Sequence, residues 1–307
     1  MPFTPEPISL KLVEDFLVYC SARNLSVHTL HAYRSDLTQF VAFSGEDVAL
    51  DRKLVRRFLV HLHNAGLKPP SVRRKLAAVK SFYRWLEAEG YAEAGLIDFI
   101  PGRYRRDELP DVPSESEVTR LLDGDHSQRD RLILELLYGC GIRSSELVGI
   151  NLDDFRDPDV LLVRGKGKKE RFVIMGECAQ AALKAWLQIR QKLLRKTRLK
   201  TPALFFSVGP RQSAARLDTR SVRRVIKVAA KTSGLDPERW HPHLLRHAAA
   251  THMCDHGAAL QSVSTLLGHA KLSTTQIYTR VSTGHLRRSY DAAHPHAAKG
   301  WSRYSGG

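Results

Sequence analysis

The first ninety residues alternate between helical stripes of apolar residues and short turn signals. Leu12, Val13, Phe16 and Leu17 recur at the spacing of one helix face. Glycines, prolines and capping serines separate this stretch from three others with a similar period. The pattern predicts four helices, over residues 9–23, 26–43, 51–64 and 71–89.

The fourth predicted helix has an apolar side and a separate cationic side. Arg73, Lys80 and Arg84 lie within about 40° of one another around the helix axis, and the helix has no acidic residue before Glu87. A cationic row beside a packed face suits contacts with a DNA backbone. A solvated surface face is the alternative, although such faces usually carry both signs of charge.

A change of composition follows the four helices. Residues 91–113 have no clear period and contain three prolines together with Arg103, Arg105 and Arg106. This is typical of an extended linker, and its arginines are candidates for phosphate contacts. Ser114 and Glu117 then form a predicted capping box before an apolar run. We therefore predict an N-terminal helical domain over 1–92, a linker over 93–112 and a second domain over 113–307.

The second domain mixes helical periods with two β-rich stretches. The β-rich stretches, at 160–163 and 171–175, flank a tip rich in glycine and lysine, which predicts a β-hairpin. Helical patterns cover 130–138, 177–194, 218–233, 242–255, 259–267 and 272–280. The expected fold class is mainly α with a small β-sheet (α+β).

Composition indicates an ordinary soluble protein with a basic bias. Hydrophobic residues make up 43% of the chain, and no apolar stretch has the ~20 residues that a membrane span needs. The N-terminus lacks the layout of a secretory signal, so the expected location is the cytoplasm, without membrane insertion. The four cysteines are far apart, which predicts reduced thiols and no zinc site.

Charge is the most informative bulk property. The formal net charge is +16 and the isoelectric point is near 9.9, which indicates a polyanionic partner. Residues 1–110 hold 16 basic and 13 acidic residues, whereas residues 111–307 hold 32 and 19. Most of the excess positive charge therefore lies in the second domain.

Several polar residues of the second domain stand at predicted helix ends or loop tips. The candidates are Arg143, Lys166, His243, Arg246, His269 and Tyr278. Two permanently charged guanidiniums can clamp a phosphodiester as it gains charge. A tyrosine hydroxyl can form a reversible phosphoester, and a lysine beside other cations can protonate the departing 5′-oxygen. Histidines can position the phosphate, and this chemistry needs neither a metal nor another cofactor.

Each candidate alone has an ordinary structural explanation. A tyrosine on a helix is more often half-buried core, and Arg143 with Glu146 makes a simple i, i+3 ion pair. The His243–His247 spacing invites a metal site, but the pair lacks the glutamate of H-E-x-x-H and has Arg246 between its members. It is the combination in one domain that favours DNA strand transfer over a DNA-binding regulator without catalysis.

The ordered motifs resemble a known family. GIRSSEL, GKGKKER, HPHLLRHAAATH and LLGHAKLSTTQIY, in that order, are similar to the tyrosine recombinases (phage integrase family) and most similar to the Xer group. The segment from Tyr290 to Pro295 resembles the XerC branch of that group. One departure is Ala249, where members usually carry an aromatic residue, so the helix around it is expected to pack differently.

The resemblance implies a mechanism and an assembly. Arg143, Lys166, His243, Arg246 and His269 would activate the phosphate, Tyr278 would be the nucleophile that becomes 3′-phosphotyrosyl-linked to DNA, and Glu146 would support Arg143. The two domains would form a C-shaped clamp on double-stranded DNA. Two protomers would join two of a XerD-like partner on two DNA sites, with a DNA translocase as a regulator, to resolve chromosome dimers before division.

Two alternatives share part of this chemistry. A mobile-element integrase has the same catalytic set, and a type IB topoisomerase has the arginines and the tyrosine but acts as a monomer.

The C-terminal stripe of Leu286, Tyr290 and Ala293 is too short to fold alone in water, so it must pack on something. The resemblance implies docking on a neighbouring protomer, and closure on its own domain is the other alternative.

Overall fold

Polar caps set the beginnings of most helices, as the sequence patterns predict. The computed structural model describes residues 8–45, 52–92, 111–165, 170–208, 214–267, 287 and 290–295. Ser9 and Ser26 accept hydrogen bonds from the backbone N–H groups of Leu12 and Thr29, satisfying donors that a helix leaves unpaired in its first turn. The chain forms two compact units, Met1–Leu109 and Pro110–Gly307.

The described part of the first unit is helical. Its helices are α1 (Leu10–Ala22), α2 (Val27–Ser44), α3 (Arg52–Asn64) and α4 (Pro69–Ala88). The four predicted helices are confirmed, but α4 begins at Pro69, two residues before the predicted start. Proline is compatible with the first helical turn, where its missing N–H would have no partner anyway.

An aromatic core holds these four helices together. Phe16, Phe40, Phe58, Phe82 and Tyr83 are all buried. Their ring contacts include an edge-to-face pair of Phe40 and Phe58 at 4.9 Å between centroids, a geometry that aromatic rings prefer.

In the second unit, helices surround a small antiparallel sheet. Its helices are α5 (Glu115–Leu122), α6 (Gln128–Gly139), α7 (Ser144–Gly149), α8 (Glu177–Thr197), α9 (Thr219–Thr232), α10 (Pro242–Asp255) and α11 (Leu260–Leu267). Its strands are β1 (Phe155–Asp157), β2 (Val160–Arg164), β3 (Glu170–Ile174), β4 (Phe206–Val208) and β5 (Ala214–Arg216). The predicted fold class, mainly α with a small sheet, is confirmed.

The strands form two antiparallel groups. One sheet has the order β1-β2-β3, and β4 pairs with β5 alone. In the predicted hairpin, Val163 lies opposite Arg171 and Val160 opposite Ile174. Arg164 donates to Glu170 across the two strands at 3.0 Å.

The core of the second unit runs through α6 and α10. Residues 132–139 of α6 are all buried, as are Leu244, Leu245, Ala248 and Ala249 on α10. A hydrogen-bonded pair links the two helices, because the Tyr138 hydroxyl lies 3.0 Å from Nδ1 of His252. Nε2 of His252 lies 2.9 Å from the Pro113 carbonyl, so Nε2 carries the proton and Nδ1 accepts from Tyr138.

All four cysteines are free, with Cys20 and Cys140 buried. In the described part of the chain, no helix has the length and apolar character needed to cross a membrane.

Candidate active site

A tight turn after α6 brings the first candidate arginine into place. Gly141 has a φ of +57°, a conformation that costs a side-chain-bearing residue about 1–2 kcal/mol. A Cβ at this position would clash with Cδ2 of the buried Leu267, so the Leu267 side chain would have to shift to admit any residue other than glycine. Arg143, two residues later, is the residue that precedes α7.

Glu146 fixes Arg143 at the start of α7. Its carboxylate accepts a hydrogen bond from the Arg143 backbone N–H at 2.8 Å and another from the Arg143 guanidinium at 2.8 Å. The Arg143 side chain is 34% exposed, whereas the Glu146 side chain is 1% exposed. The supporting carboxylate is thus buried behind an arginine that remains accessible.

Arg246 reaches the same turn from α10. Its guanidinium donates to the carbonyl oxygens of Gly141 and Leu267, and the residue is buried. Burial lowers the pKa of Arg246 to about 10, with further lowering from the neighbouring positive charges of Arg143 and Arg171. Arg246 therefore stays protonated at neutral pH and adds its charge to that of Arg143.

Arg171 is a residue of this cluster that the sequence patterns did not single out. It lies on β3 and donates to both carboxylate oxygens of Glu146, at 2.8 and 2.9 Å. Arg171 lies within the GKGKKER motif, but its partner Glu146 is 25 positions away in the sequence. No periodicity or local spacing in the sequence could indicate a contact over that separation. The one signal of Arg171 in the sequence is its position at the start of the second predicted β-rich stretch.

His243 and His247 of α10 are exposed, unlike the buried Arg246 between them. His243 lies in the first turn of α10, and His247 follows one turn later. His241 caps the helix through its Nδ1, which accepts from the Leu244 N–H at 3.1 Å. Burial, followed by the charges of His243 and Arg223, lowers the pKa of His241, so its ring is neutral near pH 7 and suited to this acceptor role.

Three predicted site residues, Lys166, His269 and Tyr278, lie outside the described residues, as do the linker arginines 103, 105 and 106. The structure brings together Arg143, Glu146 and Arg246, and places His243 one turn before Arg246 on the same helix.

The cations of α4 separate into two groups. Lys75 donates to the buried Asp36 of α2 at 3.0 Å, and Arg74 donates to the same carboxylate. Among the described residues, Arg73, Lys80 and Arg84 have no acidic partner, and Arg84 is exposed. The predicted DNA-contacting row is thus distinct from the pair that holds α4 to α2.

The C-terminal segment lies on its own domain. Tyr290 is 3% exposed in a cluster with Val160, Ile174 and Met253, and Ala293 is 6% exposed. Arg287 donates to both carboxylate oxygens of Asp159 at 2.6 Å. Tyr290 and Ala293 of this stripe are thus buried in cis in the single chain, and docking of the stripe on a neighbouring protomer stays a prediction.

Comparison with known proteins gives a consistent result over both units. The phage integrase family model matches residues 112–285, and the model for the phage integrase N-terminal SAM-like domain matches residues 13–90. Among curated proteins, tyrosine recombinase XerC of Chlorobaculum tepidum is 38% identical over 92% of this chain and 94% of its own length. XerC of Alcanivorax borkumensis is 37% identical over 95% and 96%.

Solved structures agree in fold. XerH site-specific recombinase bound to palindromic difH substrate has a TM-score of 0.68 at 22% identity, covering 92% of this chain and 84% of that one. Lambda integrase bound to DNA has a TM-score of 0.65 at 19% identity, covering 90% and 97%. Together with the sequence relatives, these findings mean that the chain belongs to the phage integrase family and is a Xer-type, XerC-like site-specific tyrosine recombinase.

Proposed function

We propose that this recombinase cuts and rejoins DNA through a covalent link between Tyr278 and a 3′-phosphate. In this mechanism the Tyr278 oxygen attacks the phosphorus, and Lys166 protonates the departing 5′-oxygen. Arg143 and Arg246 stabilise the charge that develops on the nonbridging oxygens. His243 and His269 position the phosphate and accept the tyrosine proton.

The observation that carries this proposal is the charge arrangement around the Gly141 turn. Arg143, Arg171 and Arg246 surround a single carboxylate, Glu146. Three positive charges against one negative charge leave a local excess that favours an anion. Because Arg143 is the accessible member of the set, a phosphodiester would meet its guanidinium first.

We further propose that each unit of the chain is a functional domain, with boundaries at 1–92 and 113–307. The buried apolar clusters support this assignment. All members of one cluster lie between residues 8 and 92, and all members of the other two lie at residue 118 or later. The N-terminal domain would contact the DNA backbone through Arg73, Lys80 and Arg84, and the linker would do so through Arg103, Arg105 and Arg106.

The cellular role that we propose is resolution of chromosome dimers in the cytoplasm. The chain would act with a XerD-like recombinase, two protomers of each on two DNA sites, under control of a DNA translocase. Curated relatives named XerC that match nearly the whole chain support this role over that of a mobile-element integrase.

Covalent trapping tests the chemistry. Wild-type protein is incubated with a nicked duplex that carries a recombination site from its own genome, and SDS-resistant adducts are counted. Tyr278→Phe should abolish the adduct and leave DNA binding unchanged, because only the hydroxyl is lost. Tyr304→Phe is the matched control and should retain the adduct.

An adduct that survives in Tyr278→Phe and disappears in Tyr304→Phe would overturn the assignment. Tyr290 is not a competing nucleophile in this structure, because its side chain is buried in its own domain. Absence of any adduct with the wild-type protein on every candidate site would count against the proposed function as a whole.

A further inference from the structure

Arg171 and Arg143 bind the same carboxylate but differ in their access to solvent. The Arg171 side chain is 10% exposed and the Arg143 side chain is 34% exposed. A DNA phosphate can therefore approach Arg143, whereas Arg171 lies behind Glu146 on β3. The two arginines are suited to different tasks although they share one partner.

The contact between Arg171 and Glu146 has the geometry of a strong, directional interaction. Both terminal nitrogens of Arg171 donate, one to each carboxylate oxygen, at 2.8 and 2.9 Å. A two-point contact of this kind fixes the plane of the carboxylate as well as its position. Since Oε1 and Oε2 of Glu146 also accept from Arg143, fixing that plane fixes where Arg143 can hydrogen-bond.

Charge also depends on this contact. Burial would raise the pKa of Glu146, but the hydrogen bonds and positive charge of Arg171, with smaller help from Arg143, lower the pKa to about 2. Arg171 is thus the main reason that a buried glutamic acid stays ionised. An un-ionised Glu146 would lose a large part of its attraction for the Arg143 guanidinium.

We infer that Arg171 is a positioning residue for strand cleavage: through Glu146 it holds Arg143 in the orientation that receives the scissile phosphate. The inference rests on the proposed function, because its readout is cleavage. It assigns Arg171 an effect on the rate of the chemical step and none on the affinity for DNA, since its side chain does not face the substrate.

The alternative is that Arg171 is only a structural element of a buried ion pair. A second buried arginine of the same domain provides the matched control. Arg190 on α8 donates to the backbone carbonyls of Thr201 and Ala203 and has no contact with Glu146 among the described residues. Loss of either arginine should lower stability, but only loss of Arg171 should change how cleavage depends on pH.

The experiment compares Arg171→Met, Arg171→Lys and Arg190→Met with wild type on the nicked duplex. Single-turnover cleavage is followed from about pH 5 to about pH 9. This range covers the titration of a carboxyl group whose pKa is raised by burial. Arg171→Met should cleave about 10–100-fold more slowly, as expected for a displaced catalytic group, with DNA affinity within about twofold of wild type.

The pH profile separates positioning from structure. In Arg171→Met the pKa of Glu146 rises, so cleavage should fall further as pH is lowered, and this acid limb should lie at higher pH than in wild type. Arg171→Lys should rescue part of the rate, because it restores the charge without the two-point contact. In Glu146→Gln the shift of the acid limb caused by Arg171→Met should be absent, and adding Arg171→Met to Glu146→Gln should cause little further loss of rate.

Three outcomes would overturn the inference. They are an unchanged pH profile in both Arg171 variants, an equal shift in Arg190→Met, and full additivity of Glu146→Gln with Arg171→Met. If Arg171→Met does not fold, Arg171→Lys decides by rate, because lysine cannot make the two-point contact: cleavage slower than wild type at unchanged DNA affinity supports the inference, and a wild-type rate overturns it. Failure of wild-type protein to cleave at all would instead count against the proposed function, so the two failures are distinguishable.

Discussion

Gly141 is the residue on which the geometry of the two site arginines depends most directly. Arg246 binds the Gly141 carbonyl, and Arg143 follows two residues later. Glycine is needed there for two separate reasons, a positive φ and the contact with Leu267. Two other glycines of the same domain allow the cost of the positive φ to be measured apart from the contact with Leu267.

We predict that Gly141→Ala will be the most destabilising of three glycine substitutions. Gly234 has a φ of +67° but open space around it, so Gly234→Ala should cost about 1 kcal/mol of unfolding free energy. Gly141→Ala adds a steric clash worth about 1–3 kcal/mol. Gly149→Ala, with neither a positive φ nor a neighbour within 4 Å, should change stability by less than about 0.5 kcal/mol.

Denaturant unfolding of the full chain measures the three values. Equal costs for Gly141→Ala and Gly234→Ala would mean that α11 can move away from the turn. The described contact between Gly141 and Leu267 would then not constrain the site.

At this scale, sequence reasoning identified residues by type and local spacing. Arg143, Glu146 and Arg246 stand in short motifs and were predicted to share one site. Arg171 and Asp36 were missed because their partners lie 25 and 38 or more positions away. Such pairs leave no periodic signal, and only the fold brings their members together.

Helices and longer strands were predictable because their signals are local. Ser9, Ser26 and Ser114 cap helices where the patterns placed them, and the β2–β3 hairpin was predicted from two β-rich stretches. Strands β1, β4 and β5 were missed. Each has three residues, which is too short for an alternation of apolar and polar positions to be recognised.

The C-terminal segment is the element for which the sequence left two packing surfaces open, its own domain and a neighbouring protomer. The apolar stripe was recognised, but a stripe does not identify the surface that buries it. In the described residues Tyr290 stacks on His294 with ring centroids 4.7 Å apart and packs against residues of β2, β3 and α10. Tyr290 and Ala293 are therefore buried on their own domain in the single chain.

We therefore predict that Tyr290→Ala will destabilise the monomer. Replacing a buried aromatic residue by alanine typically costs about 3–5 kcal/mol, and this loss should appear as a lower melting temperature at concentrations where the protein is monomeric. Arg287→Ala is the control. The Arg287 side chain, which pairs with Asp159, is 46% exposed. Loss of this ion pair should therefore lower the free energy of unfolding by at most about 1 kcal/mol.

The opposite result would support docking between protomers. If Tyr290→Ala leaves the monomer's melting temperature unchanged but weakens cooperative assembly on DNA, the stripe is buried by a neighbour in the functional complex. The cis contacts would then not contribute to stability in solution.

For the whole molecule, charge and composition predicted the class of partner before any motif was considered. A net charge of +16 indicates a polyanion but does not say which cations touch it. The structure narrows the choice on α4, because Arg74 and Lys75 both pair with Asp36. Arg73, Lys80 and Arg84 have no acidic partner among the described residues. Sequence alone could not make this separation, since Asp36 belongs to another helix.

The final prediction uses this separation to test DNA contact. Each phosphate contact contributes about 0.9 to the slope of log affinity against log salt concentration. Replacing Arg73, Lys80 and Arg84 together by glutamine should therefore reduce the slope by about 2–3, measured by fluorescence anisotropy on a site duplex over a salt series. The control removes the same charge from Lys192, Arg195 and Lys196, which are exposed on α8. This control should change the slope by less than the contribution of one phosphate contact. Equal reductions in both triple variants would mean that net charge, and not a row on α4, attracts the DNA.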